Sequence, residues 1–538
     1  MVDRSALVPL RATEGLAGFV VNYLICGPFN LDGKLTSCEA MDVDYLEGSG
    51  SEAAAMPKVG LQEGETGPLW RRLAERKGFI INLLYEYSKE GVVSYAVAYL
   101  NCPKAQAGKI LLGTDDGFKL YLNGEMVGCN HVHRGLGIDN DIVDVNLKRG
   151  VNVLLLKIEH SFGGYEFCIR LTDPSGNAVK GLKAYRNHPK AKKPSDLAVQ
   201  RTISGFDYLD YKFANAKQKL AFSASTTQEY KHWRTKFLRQ YKLLLGEFPA
   251  RCPLRPEVTE DICVDNFRRK RVLIDVEPGF SIPCYLTIPR KIKKGHKLPA
   301  VLCLHGHGEG KSDMVGLTIG TPQEREGCKT LAMALYAARE GYVTISPDFL
   351  SFGERCGPGH PFGCAYPCTA EFAWAQAAGL STTTINIHTV QRCVDYLYKL
   401  PEVDNSRIAA MGHSFGGYMT TLATAVEPRI KAAVISGFMC RISSYYGKAW
   451  SCGSQVLPGL FNYGDLSDIA CTFAPRPLLI VTGLYDCVTP SASAFAAFKK
   501  IKKAYQLVGA QDNAGQFVFP DEHIFQSEAA LDWLGKWL

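Results

Sequence analysis

From about residue 256 to the end of the chain, apolar runs of strand length alternate with helical stretches, and this alternation narrows the fold more than any other feature. The runs fall at residues 272–276, 300–304, 342–346, 408–411, 432–436, 478–482 and 516–519, with helical patterns at 330–339 and 389–400 among them. Strands this apolar are buried on both faces, which requires helices on each side of a mostly parallel sheet. No period of 20 to 50 residues is visible, so solenoids and propellers are not expected.

The first third reads differently. Short runs at 109–112, 118–122, 151–158 and 165–171 are separated by turn signals, including the hairpin dipeptide Asn123-Gly124, and predict an all-β sandwich over residues 1–180. Residues 181–255 shift to polar and helical composition. There Trp233, Phe237, Tyr241 and Leu244 recur at helical spacing, predicting a linker and a helix lying on the next domain, 256–538. Two domains also suit a length of 538 residues, since single cores stop growing near roughly 250 to 300.

Composition excludes several classes. An apolar fraction of 46% and a charged fraction of 21% leave no case for disorder or a coiled coil. The net charge of +8 is small for the length, and the lysine runs at 190–193, 291–297 and 499–503 lack any stacking platform or reading motif, so they read as solvated faces and no nucleic-acid partner is expected. The stretch 16–26 is too short to span a bilayer and carries Asn22, and the first residues lack the basic region of a signal peptide. Eighteen scattered cysteines favour reduced thiols and a cytoplasmic location.

The chemistry concentrates at Gly412-His413-Ser414-Phe415-Gly416-Gly417, which follows one apolar run directly and leads into a helix rich in small residues. A serine on a tight strand-to-helix turn has its hydroxyl pushed out above the sheet, and glycines two positions away on either side leave room for the backbone. Such a nucleophile needs a base, and the base an orienting acid, each at the carboxyl end of a later strand. The run 478–482 leads to Asp486, and the run 516–519 leads to His523. Among twelve histidines His523 alone follows Ser414, and the order Ser, Asp, His is that of α/β hydrolases. Asp512 and Asp521 compete with Asp486 for the role of acid. The developing oxyanion requires donors. One is the amide of Phe415, and the loop His305-Gly306-His307-Gly308 supplies the other, assigned to His307 with Gly306 and Gly308 as alternatives.

Two motifs invite other readings. His305 and His307, at i and i+2 on a loop, are expected to be structural rather than a metal pair. Their loop runs on through Glu309-Gly310-Lys311-Ser312 and nearly spells a phosphate-binding loop, but His305 occupies the place of the first glycine. Cys356, His360, Cys364 and Cys368 could surround zinc, yet glycines and prolines exclude a helix there and no C-x-x-C knuckle is present. Unligated thiols in a loop near the site mouth are the simpler expectation.

Taken together, several stretches make the C-terminal half resemble the α/β hydrolases that include acetyl xylan esterases, dienelactone-hydrolase-like proteins and prolyl oligopeptidase catalytic domains. They are residues 304–308, the run Ser346-Pro347-Asp348 through Phe352-Gly353-Glu354-Arg355, Pro401-Glu402-Val403-Asp404, the elbow, and Ala474-Pro475-Arg476-Pro477. Dienelactone hydrolases proper use cysteine where this chain has Ser414. More loosely, Gly27-Pro28-Phe29, residues 114–124 and residues 152–157 resemble galactose-binding-like jelly rolls, which would make Phe118 and Tyr121 the aromatic candidates for sugar contact. A packing or dimerising role is the primary expectation for this domain, since fold alone does not carry function.

The resemblance implies a serine carboxylic-ester hydrolase that removes a small acyl group, with acetyl the leading candidate, from a carbohydrate or related ester. Ser414, His523 and Asp486 form its triad, and no cofactor, metal or membrane partner is required. A prolyl-oligopeptidase-like peptidase, which would normally bring a propeller, and a non-catalytic scaffold with a hydrolase fold are the alternatives, and homo-oligomerisation is left open.

Overall fold

The structure is a computed structural model that describes residues 18–58, 60–73, 79–84, 89–185, 208, 209, 212, 213, 215–317, 331–356, 367–445, 452–486, 488, 489 and 491–538. Two compact units divide at Tyr208 and Leu209.

The first unit is a β-sandwich. One sheet runs in the order Arg71–Arg72, Leu24–Phe29, Val92–Cys102, Gly150–His160, Phe118–Leu122 and Glu125–Asn130, with Lys183–Tyr185 also pairing to Val92–Cys102. The other runs Ile81–Asn82, Glu166–Thr172, Gln106–Thr114 and Asp141–Leu147. Asn123 and Gly124 turn between two strands with φ of 54° and 85°, the left-handed pair that a two-residue hairpin requires. Ala96, Ala98, Leu112, Leu154, Leu156 and Ile169 share one core between the sheets. The opposite side of Val92–Cys102 is buried as well, because Trp70, Leu46 and Met41 pack over Tyr95, Val97 and Tyr99. Under this cover the Lys157 ammonium is held by the carbonyls of Met41 and Val43 and by the Glu52 carboxylate, at 2.8, 2.5 and 2.9 Å.

Neither aromatic candidate for sugar contact is available. Phe118 is 2% exposed and Tyr121 8%, and the Tyr121 hydroxyl hydrogen-bonds to Glu52. Alternation along Phe118–Leu122 sends the two rings into the two different clusters, one on each face of the sheet. Both are core residues, which removes the two as candidates for sugar contact and accords with the packing role expected first for this domain.

The second unit carries a nine-stranded sheet. Its strands are β1 (Glu257–Val264), β2 (Phe267–Glu277), β3 (Phe280–Pro289), β4 (Leu298–Leu304), β5 (Val343–Pro347), β6 (Val403–His413), β7 (Ala432–Ser436), β8 (Leu478–Gly483) and β9 (Ala514–Phe519). The order is β1-β2-β3-β5-β4-β6-β7-β8-β9. Strands β5, β4 and β6 to β9 are mutually parallel, and the first three pair antiparallel. Sequence patterning reads all the parallel strands and β2, but passes over β1, whose residues are mostly exposed at the sheet edge, and over β3, which is buried along most of its length.

Helix α1 (Thr227–Leu245) buries Tyr230, Trp233, Phe237, Tyr241 and Leu245 against this unit. The stripe is completed by Leu245, whereas Leu244 sits at its margin. Its polar tips are satisfied on the way in: the Tyr241 hydroxyl donates to the Leu422 carbonyl at 3.0 Å and the Trp233 indole to the Leu220 carbonyl at 2.8 Å. No helix among the described residues is long and apolar enough to cross a membrane.

Because Phe118 fills the sandwich core, Phe118→Ala is expected to cost about 3–5 kcal/mol. Denaturant titration of the full chain checks this, and a cost below about 1 kcal/mol would contradict the packing.

Candidate active site

Downstream of helix α2 (Pro367–Ala377), strand β6 passes into helix α3 (Phe415–Val426), with Ser414 as the turning residue. Ser414 adopts φ 56° and ψ −120°, a conformation that costs a non-glycine residue about 1–3 kcal/mol. The turn is held on both sides. The Ser414 amide donates to the Ser436 carbonyl at 2.9 Å, and its own carbonyl accepts from the Tyr418 amide at 3.0 Å. The flanking glycines are steric necessities. A Cβ on Gly412 would stand 2.2 Å from the Gly416 carbonyl oxygen, and one on Gly416 would stand 1.9 Å from that of Leu304.

The loops after β8 and β9 meet beside this turn. Leu484 donates to the Phe519 carbonyl at 2.8 Å and Tyr485 to that of Asp521 at 3.0 Å, which ties the loop of Asp486 to the loop of His523. His523 Nδ1 lies 2.7 Å from Asp486 Oδ2. Asp486 is buried and also accepts from the amides of Val488 and Thr489 at 2.9 and 2.8 Å and from the Thr489 hydroxyl at 2.7 Å. Burial pushes the Asp486 carboxyl up, but His523 and these donors outweigh it and hold it below the ordinary aspartate value. The Asp486 bond fixes the His523 proton on Nδ1, so Nε2 is the basic nitrogen. That nitrogen is buried and has no hydrogen-bond partner among the described residues, so no Ser414–His523 hydrogen bond is formed. Asp512 and Asp521 are exposed, and Asp521 accepts from the neighbouring Glu522 amide.

Two neighbours were not marked by the sequence. Gly437 has φ 59°, and a Cβ there would stand 2.8 Å from His413 and 2.9 Å from His523. His413 packs its ring 4.5 Å from that of His523, and its Nδ1 lies 3.0 Å from Ser436 Oγ. Burial, then the neighbouring His523, pushes the His413 pKa down to about 3. The signal for His413 was its place in the elbow itself; Gly437 carried none beyond its position after an apolar run.

The loop after β4 lies against the serine: a Cβ on Gly306 would stand 3.4 Å from Ser414 Cβ. His305 is a structural residue. Its Nδ1 lies 2.7 Å from the Gly306 carbonyl, while Nε2 accepts from the Phe349 amide at 3.0 Å, and burial pushes its pKa down to about 4. Lys311, which gave the sequence its likeness to a phosphate loop, is buried in an ion pair with Asp348 at 2.9 Å and also bonds Glu354. Asp348 further accepts from the amides of Lys311 and Glu354 at 2.6 and 3.0 Å. Burial alone would push the Lys311 ammonium down, but the two carboxylates hold it above the ordinary lysine value. Of the residues considered as a zinc set, Cys356 is exposed, Cys368 is buried in the first turn of α2 and so not in the loop expected for it, and His360 and Cys364 lie outside the described residues. Every described cysteine is free of a disulfide.

The serine turn on a mostly parallel sheet, with an aspartate and a histidine on loops after later strands, is the arrangement of α/β hydrolases. The Abhydrolase family matches residues 185–531. The chain belongs to the Abhydrolase family. Its relatives include the candidate hydrolase YtaP of Bacillus subtilis, 26% identical over 328 residues, which covers 56% of this chain and 98% of YtaP. Among solved structures, a candidate acetyl xylan esterase from Bacteroides fragilis superposes with a TM-score of 0.54 at 19% identity, over 63% of this chain and 96% of that one. At that identity the likeness shows the fold alone. The Abhydrolase match begins at residue 185 and leaves the sandwich outside it.

The loop next to the elbow is anchored by charge, and that anchor titrates. Hydrogen bonding to Arg271 and then to Lys311 lowers the Glu354 pKa from 4.5 to about 2, against the opposing effect of partial burial. A carboxylate lowered by folding adds stability above its unfolded pKa and loses it as the pH falls through the folded one. Glu354→Gln is therefore expected to lower the melting temperature at pH 7, modestly because the side chain is 36% exposed. The gap to the parent chain should narrow between pH 4.5 and about 2, and a gap independent of pH would contradict the anchor.

Proposed function

We propose that this Abhydrolase-family chain is a serine carboxylic-ester hydrolase that removes a small acyl group from a carbohydrate or related ester, with acetyl esters first. The observation that carries the reading is the pairing of His523 with buried Asp486 beside the strained turn at Ser414. In this reading Ser414 Oγ attacks the ester carbonyl while His523 Nε2 takes its proton. The alcohol leaves with that proton, and water, activated by the same histidine, then releases the acid and regenerates the serine. Asp486 orients the imidazole and stabilises its charged form. The amides of Phe415 and His307 hold the oxyanion, a role for His307 supported by the closeness of its loop to the serine, since a Cβ added at Gly306 would stand 3.4 Å from that of Ser414. The name of the Bacteroides fragilis protein is the reason to try acetylated sugars first.

Assays with p-nitrophenyl acetate, an acetylated xylo-oligosaccharide and a prolyl-peptide amide separate ester from peptide hydrolysis. Ester turnover is expected and amide turnover is not. Ser414→Ala should leave a folded chain with kcat reduced by about 10⁶, and Asp486→Asn should cost about 10⁴ through the wrong imidazole tautomer. A loss under tenfold for Ser414→Ala refutes the nucleophile. Greater damage from Asp512→Asn or Asp521→Asn than from Asp486→Asn refutes the acid.

A further inference from the structure

We propose that His307, Cys368 and Cys452 form a binding site for one soft divalent cation of the zinc class, a site distinct from the proposed triad. The three side chains come from three separate segments: the loop after β4, the first turn of α2, and the residue before the short turn Gly453–Gln455. Their donor atoms all lie within 4.8 Å of one another. The two sulfurs are 2.8 Å apart, and the His307 side chain hydrogen-bonds to Cys368. Both cysteines are buried, and His307 is half-buried.

Each ligand is fixed by contacts other than those within the set. The Cys368 carbonyl accepts from the Ser454 hydroxyl at 3.3 Å, and the Gly453 amide donates to the Thr369 hydroxyl at 3.4 Å, which holds the two cysteine segments together. Gly453 leaves no room for a side chain, since a Cβ there would stand 2.7 Å from Phe372. The His307 ring is wedged between Phe352 and Phe415, at 5.2 and 5.4 Å. Prior ordering of this kind lowers the entropic cost of collecting ligands.

The donor set decides the class of ion. Two thiolates and an imidazole suit zinc and other soft cations and do not suit magnesium or calcium, which take oxygen. Around zinc, with bonds of about 2.3 Å to sulfur and 2.0 Å to nitrogen, ligand atoms stand roughly 3.5–4 Å from one another. The sulfurs must then part by about 1 Å, which side-chain rotation supplies. Three protein ligands leave a fourth position for water or another small ligand. A disulfide between Cys368 and Cys452 would use the sulfurs but would give the third donor no part. The set is also not the one spaced along the sequence from Cys356 to Cys368: only Cys368 is common to both. An ion here would tie the loop of His307 to α2 and to the turn at 453–455.

Cobalt(II) is the probe. The full chain, reduced, stripped with a chelator and kept anaerobic, is titrated with cobalt and then with zinc. One equivalent of cobalt should produce thiolate-to-metal charge-transfer absorption, which zinc abolishes by displacement. Cys368→Ser, Cys452→Ser and His307→Ala should each weaken cobalt binding by about tenfold or more, with circular dichroism verifying the fold, whereas Cys356→Ser should change nothing. If a variant does not fold, X-ray absorption of the zinc-loaded parent chain decides the matter: two sulfurs and an imidazole in the zinc shell support the site, and a shell of oxygen and nitrogen alone overturns it. Reduced, folded chain that binds no cobalt also overturns it, as does binding that survives loss of both cysteines. A native Cys368–Cys452 disulfide whose reduced form takes no metal assigns the pair to redox chemistry and overturns the proposal as well.

Discussion

The approach of Gly416 to the end of strand β4 is the constraint on which the rest of the site depends. Helix α3 starts so close to the sheet that Leu304 and His305 carbonyls lie where a Cβ on residue 416 would be. That closeness makes the turn from β6 tight, and the tight turn forces Ser414 to positive φ. The strain is maintained because β6 is central, paired to β4 on one side and β7 on the other, and neither neighbour can shift without breaking a ladder. A single added methyl at position 412 or 416 would therefore act on the serine through the backbone, with no contact to its side chain.

A second constraint fixes the loop on the other side of the serine. The buried Lys311–Asp348 pair binds the loop after β4 to the loop after β5, and Glu354 extends it to Arg271 on β2. Two glycines make room for Asp348: a Cβ on Gly310 or Gly353 would stand 2.2 or 2.3 Å from its carboxylate. Replacing one partner would leave the other charged in the interior, which costs far more than the intact pair contributes. The resemblance of this loop to a phosphate-binding sequence thus has a physical explanation. Its glycines admit a carboxylate of the chain's own, and its lysine neutralises that carboxylate.

The parallel sheet was legible in the sequence because burial on both faces leaves little freedom in composition, as at 408–411 and 432–436. The elbow was legible for a related reason: glycine on both sides of a serine between a strand and a helix has few other uses. His523 is legible as the candidate base from its position alone. What the sequence concealed depends on contacts between distant segments. Cys452 stands 84 residues from Cys368 and has no neighbour in the chain that marks it. Phe118 and Tyr121 lie on a short strand with turn signals at both ends, a hairpin pattern that also suits aromatic rings open to a sugar. A strand with its two faces in separate apolar clusters gives the same pattern, and only the segment folded over the outer face, from Met41 to Trp70, distinguishes the two.

The electrostatics around His523 follow from how burial treats its two neighbours. Asp486 and His413 are equally withdrawn from water, and burial alone would neutralise both. Asp486 stays ionised because two amides, a hydroxyl and His523 itself supply what water would. At His413, burial and then the neighbouring His523 outweigh the pull of Asp486 and of a backbone hydrogen bond at His523, and the ring is held neutral. In the proposed mechanism, a second imidazolium at 4.5 Å would oppose the transfer of the Ser414 proton to His523. Keeping His413 uncharged leaves the Asp486 carboxylate unopposed by a neighbouring imidazolium. The ring at 413 then contributes shape without charge, and Gly437, where a Cβ would stand 2.8 Å from one ring and 2.9 Å from the other, leaves them room to approach so closely.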